Sequence, residues 1–282
     1  MTGTELDTSV RSELATLHPA VAKEVAQRLV LVGRLLDEDP ETAYLHAAAA
    51  RERAARAPGV REAVGLAAYR TGRYAEALAE LRTVRRLTGS NDHLPVMADC
   101  ERGLGRPERA LEMLRSPEAR GLDVAGRAEL LIVAAGARAD MGELEAAVIT
   151  LQVPELTSTL REPWIARLRS AYADALFGAG RDEEARLWLE RAAEADEDGE
   201  TSAAERLAEL DGVIFLDDDE LDEGEQGHGE QGHGEPDGAT VVEMARDAAA
   251  GEAAAGETVT GEDRGGATAG TGEDGGETGA DE

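Results

Sequence analysis

Nucleophilic and metal-binding chemistry has few places to start in this chain. The residues to weigh are one cysteine, Cys100, and five histidines, His18, His46, His93, His228 and His233. A catalytic thiol needs a base nearby and an electropositive setting that holds it as thiolate. Cys100 instead has Asp99 and Glu101 as neighbours and lies between Met97 and Leu104, so a buried, inert thiol is expected. His18, His46 and His93 stand far apart, with no H-x-x-x-H or C-x-x-C spacing to bring two ligands onto one face, and structural roles are expected for them. His228 and His233 each sit between glycines in a doubled E-Q-G-H-G, Glu225 to Gly229 and Glu230 to Gly234. That composition amounts to a weak divalent-metal tract at most. The acidic run from Asp217 to Glu225 lacks the D-x-D-x-D-G order of a calcium loop and reads as a solvated charge run. No G-x-x-x-x-G-K-[ST], G-x-S-x-G or H-E-x-x-H is present. The expectation is a protein that is not an enzyme and has neither cofactor nor metal site.

The elements that would position any site repeat themselves. A ten-residue phrase, G-R-Y-A-E-A-L-A-E-L, runs from Gly72 to Leu81. It recurs as G-R-P-E-R-A-L-E-M-L (Gly105 to Leu114), G-E-L-E-A-A-V-I-T-L (Gly142 to Leu151) and G-R-D-E-E-A-R-L-W-L (Gly180 to Leu189), with a worn copy from Glu38 to Ala47. The central alanines, Ala43, Ala77, Ala110, Ala147 and Ala185, are 34, 33, 37 and 38 residues apart. Each glycine is placed to end one helix in the left-handed conformation. Pro107 and Asp182 are placed to start the next. The alanine falls where two paired helices come closest, and Leu81, Leu114, Leu151 and Leu189 lie one turn further on the same face. Seven residues before each glycine stands another small residue: Gly65, Ala98, Ala135 or Ala173.

A period near 34 with this small-then-large signature is that of the tetratricopeptide repeat (TPR), a helix–turn–helix unit. The chain also resembles a TPR family of GC-rich actinobacteria. The stretches that carry the likeness are A-Q-R-L-V-L-V-G-R-L-L-D-E-D-P-E-T-A (Ala26 to Ala43), G-L-A-A-Y-R-T-G-R-Y-A-E-A-L-A-E-L (Gly65 to Leu81) and M-A-D-C-E-R-G-L-G-R-P-E-R-A-L (Met97 to Leu111). It covers roughly Asp7 to Leu210 and implies a fold, not an activity. It departs from the general TPR pattern in lacking a proline after each second helix, where Gly89 and Leu122 stand.

The fold expected is therefore all-α: a TPR-like α-solenoid of about five helix–turn–helix repeats with a disordered acidic C-terminal tail. Residues 1–19 form an N-terminal extension with a short helix, 20–211 the repeat domain with a capping helix, and 212–282 the tail. The first pair, which has Leu31 at the small position and no turn glycine, reads as a diverged end repeat. Asn91 or Asp92 is expected to cap the helix after Thr88. With only eight aromatics, the core must be built from Ala, Leu and Val. That suits thin stacked repeats better than one thick core.

Charge is uneven. From Asp211 onward there are 22 acids against two bases, Arg246 and Arg264, a net of −20 out of −30 for the whole chain. Such an acidic surface argues against binding nucleic acid or anionic membranes. No apolar run is long enough to cross a membrane, and the N-terminus has neither the basic start nor the apolar stretch of a secretory signal. With a single cysteine, no internal disulfide forms. The location expected is the cytoplasm.

In a curved TPR array the first helix of each pair lines the groove. The residues singled out there as partner-binding are Tyr69, Arg70, Asp99, Arg102, Asp174 and Phe177, with Glu62, Leu66, Glu129, Ile132, Arg167 and Ser170 also facing it. Aromatics supply contact area at low entropic cost and arginine grips carboxylates with a fork of donors; the plainer reading of Tyr69 and Phe177 is as packing residues between helices. Val213 to Leu216, four apolar residues before the acidic run, reads as a short docking strand for a partner. The plainer reading is a segment tucked onto the cap helix, and a related one has it folded into the chain's own groove. The function expected is a protein-interaction scaffold that takes a protein or peptide partner in its groove. The alternative is a regulatory or assembly subunit whose acidic tail recruits a basic partner or mimics nucleic-acid charge. A homodimer platform is a further use of such an array.

Overall fold

The computed structural model describes residues 3–197 and 199–212. Among these the regular structure is all helical, with twelve α-helices, two short 3-10 turns and no strand. The helices are α1 (Thr8–Leu14), α2 (Pro19–Leu35), α3 (Pro40–Ala54), α4 (Pro58–Arg70), α5 (Tyr74–Thr88), α6 (Leu94–Gly103), α7 (Pro107–Arg115), α8 (Val124–Asp140), α9 (Leu144–Leu151), α10 (Pro163–Gly178), α11 (Asp182–Ala193) and α12 (Ala203–Leu210). From α2 to α11 they pack as five consecutive antiparallel-type hairpins, each against the next, a repeat-like arrangement. The tail, with His228, His233, the acidic run and Val213 to Leu216, lies outside the described residues.

One turn, used four times, generates the repeat. Gly72, Gly105, Gly142 and Gly180 have φ between 71° and 76°. In each case the glycine N–H donates to the carbonyl three residues back, and the next N–H donates to the carbonyl five back. The second set is Arg73 to Ala68, Arg106 to Glu101, Glu143 to Arg138 and Arg181 to Leu176, at 2.8–2.9 Å. This pair of bonds is the Schellman motif, which closes a helix on a left-handed residue. The residue after each glycine is already the N-cap of the following helix, and none of the four caps with its side chain. A three-residue joint set by the backbone leaves little freedom, so four hairpins share one geometry. The first hairpin solves the problem differently. Asp39 accepts from the Thr42 N–H at 3.1 Å and Pro40 opens α3, where no glycine is available.

Small residues let the paired helices close. Ala43, Ala77, Ala110, Ala147 and Ala185 are all 0–1% exposed. Their partners Gly65, Ala98, Ala135 and Ala173 are buried as well. At Gly65 the fit is extreme: a Cβ built there would lie 2.7 Å from Leu81 Cδ2. Leu81, Leu151 and Leu189 are fully buried, whereas Leu114 is only half-buried. The second helix of that hairpin stops early at Ser116, whose extended backbone leads into a 3-10 turn over Pro117–Gly121.

The described helix boundaries differ from expectation at one cap. Neither Asn91 nor Asp92 caps α6; its N-cap is His93, with no side-chain bond. The hydroxyls of Thr88 and Ser90 accept from the Ser90 and Asp92 N–H groups instead, a chain of short turns that satisfies this loop locally. His18 does cap a helix: its Nδ1 accepts from the Ala20 N–H at 3.4 Å. At the far end α12 rests Ala203 and Leu207 on the cluster of Ala173, Leu189 and Ala192.

Candidate functional site

The six groove residues lie on α4, α6 and α10. Three of them meet. The Tyr69 hydroxyl donates to Asp99 Oδ2 at 2.7 Å, and Arg102 Nη1 donates to Asp99 Oδ1 at 2.8 Å. Arg102 then reaches α8, with Nε donating to Asp140 Oδ2 at 2.8 Å. Arg70 sits apart, paired with Asp37 at 2.5 Å. Asp174 accepts from Arg206 of α12. Phe177 is partly buried, packed against two core clusters, one built from α8 to α11 and the other from α10 to α12, so for it the packing alternative describes the geometry. Of the wider set, Arg167 pairs with Glu129 at 2.7 Å. Ser170 does not face a groove: it is 9% exposed, a small hydroxyl in a helix interface.

These groups hold their charge states firmly. Burial, then the bond to Asp99, pushes the Tyr69 phenol well above its ordinary value. The bond to Asp140 raises Arg102 further. Cys100 is fully buried, and burial followed by the charges of Asp99 and Glu101 pushes its thiol up to about 12. A thiol in that state is not a nucleophile at neutral pH. Labelling by a thiol reagent at pH 8 is therefore expected only at the rate at which the chain unfolds; prompt labelling of the folded protein would contradict this burial.

The pairs have a common logic in sequence. Arg70–Asp37, Arg73–Glu41, Tyr44–Glu76, Arg85–Glu118, Arg102–Asp140, Arg167–Glu129 and Arg206–Asp174 all join residues 32 to 38 apart. Each ties a position in one hairpin to one in the next or, for Arg206, ties the last hairpin to α12. Asp140, Asp37 and Arg206 were not singled out from the sequence. Their spacing from Arg102, Arg70 and Asp174, one repeat period away, is the signal that could have found them.

Beside Arg102 a cleft of about 230 Å³ opens between α8 and α10. Ala135, Gly136, Ala139, Ala171, Ala175 and Gly178 line it, and Arg102 and Asp174 stand at it with opposite charges. Gly136 explains why a glycine is kept in the middle of a helix, where it costs roughly 0.5–1 kcal/mol against alanine. A Cβ there would lie 2.7 Å from Arg102 Cζ, so the guanidinium lies across the α8 backbone. Chemically the cleft offers van der Waals depth and one charge of each sign.

Comparison with known proteins gives no matching family model and no similar curated protein. Among the described residues no helix is long and apolar enough to cross a membrane, and no group of three His, Cys, Asp or Glu is arranged to hold a metal.

Proposed function

We propose that this chain is a TPR-like α-solenoid acting as a cytoplasmic protein-interaction scaffold, with a peptide or helix of a partner bound along the face of its first helices. The observation that carries the reading is the small-residue cleft between α8 and α10 with Arg102 and Asp174 at its edge. An apolar side chain of the partner fills the cleft, while its polar groups exchange with Asp140 and Arg206 for the two charged residues. The solenoid part of the reading is supported by the pairs one repeat period apart, because stacking along one axis brings equivalent positions together. Interfaces of this kind concentrate affinity in a few anchors seated in pockets.

Selection of random peptides on the full-length chain tests this. Peptides should enrich, and Ala139→Trp, which fills the cleft from an exposed position, should weaken them by about 30-fold or more, the size of a hot-spot loss. Arg102→Ala should also weaken peptides that carry a carboxylate. Failure to enrich any sequence, or affinities unchanged by both substitutions, overturns the proposal.

A further inference from the structure

A second cleft, of about 450 Å³, lies between the connection that precedes α10 and the C-terminal end of α11. Its chemistry differs from the first. Three arginines line it, Arg161, Arg169 and Arg191, together with Glu194 and the hydroxyls of Thr157, Ser158 and Thr159. Arg169 is its organiser. Its guanidinium donates to the carbonyls of Leu156, Ser158 and Arg191, at 3.1, 2.5 and 3.0 Å, and so pins the connection to α11. All three acceptors are neutral, and no carboxylate is paired with Arg169 among the described residues. Burial, and then the charge of Arg191, pull the Arg169 pKa below its usual value, the direction expected for a cation short of a counter-charge. Arg191 is exposed and stacks 4.4 Å from the centre of the Trp188 ring. Among the described residues no ion pair joins it to a carboxylate. Arg161 does have one, Glu197 at 2.7 Å. The lining keeps a positive balance, three arginines against Glu194, in a chain of net charge −30.

We propose that this cleft holds an acidic segment of the same chain, the run D-D-D-E from Asp217 to Glu220. Charge complementarity is the first ground: the run places four carboxylates in four consecutive residues. Reach is the second. Asp211, at the end of α12, is tied to Arg186 of α11 at 2.7 Å. Arg191 is five residues further along that helix, roughly 7.5 Å by its rise. Four residues lie between Gly212 and Asp217, five Cα-to-Cα steps that span about 17 Å when extended. The tether keeps the run at an effective concentration far above that of any free competitor. In the bound state carboxylates accept from Arg191 and Arg161, and the hydroxyls of Ser158, which in the structure only accepts from the Leu160 N–H, and Thr159 donate to those left over. The cleft is then a built-in holdfast for the tail, separate from the face of the first helices. An acidic segment of another protein would bind the same guanidinium groups only by displacing the chain's own.

Hydrogen exchange over residues 154–161 of the full-length chain reads occupancy directly. Neutralising the run with Asp217→Asn, Asp218→Asn, Asp219→Asn and Glu220→Gln alters no residue of α1 to α12 and should speed exchange there about tenfold. Arg191→Glu should do the same, and adding it to the neutral run should bring no further change. Arg191→Glu combined with Asp217→Lys and Asp218→Lys should restore protection, which a purely structural effect of losing Arg191 would not. Exchange indifferent to neutralisation of the run overturns the proposal. So does protection that rises with protein concentration, which would assign the occupant to a second copy.

Discussion

Replacing Leu176 with alanine should lower the unfolding free energy by about 3–5 kcal/mol, the upper part of the range for buried leucines. Leu176 is fully buried in the largest core cluster, with Ala135, Ala147, Val148, Leu151, Leu168, Tyr172 and Ala185. Three of those neighbours are alanines, too short and too firmly held by their backbones to move into the space left behind. Its carbonyl also accepts from the Arg181 N–H at 2.9 Å in the Schellman turn, so a shifted α10 would strain the joint as well. Equilibrium urea unfolding gives the number; a loss below about 1 kcal/mol would mean this core can collapse around the gap. In a stacked array the damage should also be local. Hydrogen exchange should accelerate in α8 to α11 more than in α2 to α5, since each repeat leans only on its neighbours.

The opposite insult, enlargement, should be about as damaging at the alanines. Ala77→Leu should cost about 3 kcal/mol, at the top of the usual range for overpacking. Ala77 is fully buried among Ala68, Leu78, Leu81, Met97 and Cys100. The hairpin cannot open to receive the larger chain, because its joint at Gly72 is fixed by backbone bonds and α4 meets Leu81 at Gly65 with no room for a Cβ. Ala79→Leu, two residues along the same helix, is the control. Ala79 is exposed, so that change should stay within about 0.5 kcal/mol. Equal losses at both positions would remove the argument that size at the beat of the repeat holds the helices together.

The helices themselves were legible residue by residue. Gly72, Gly105, Gly142 and Gly180 announce left-handed turns because only glycine enters that conformation without strain, and all four adopt it. The alanines five residues after each of them announce close approach, and all are buried. Such features depend on one residue and its nearest neighbours in the chain, so they survive reading without coordinates. The cap of α6 was misplaced for a related reason: Asn91 and Asp92 are both good caps in isolation, and the turn at Thr88 to Asp92 used its hydroxyls otherwise.

The candidate sites were legible only in part. Sequence placed Tyr69, Asp99 and Arg102 on one face, yet it could not show that they bond one another, or that Phe177 packs against the core while Ser170 is covered. It gave no hint of the cleft around Arg169, whose partners are backbone carbonyls from two segments of chain. Local rules written in glycine and alanine decide where this chain turns and how closely its helices pair. Which charge meets which, and where space is left over, depends on how one hairpin settles against the next. Long arginine side chains reach many positions, and only the packed neighbour selects among them.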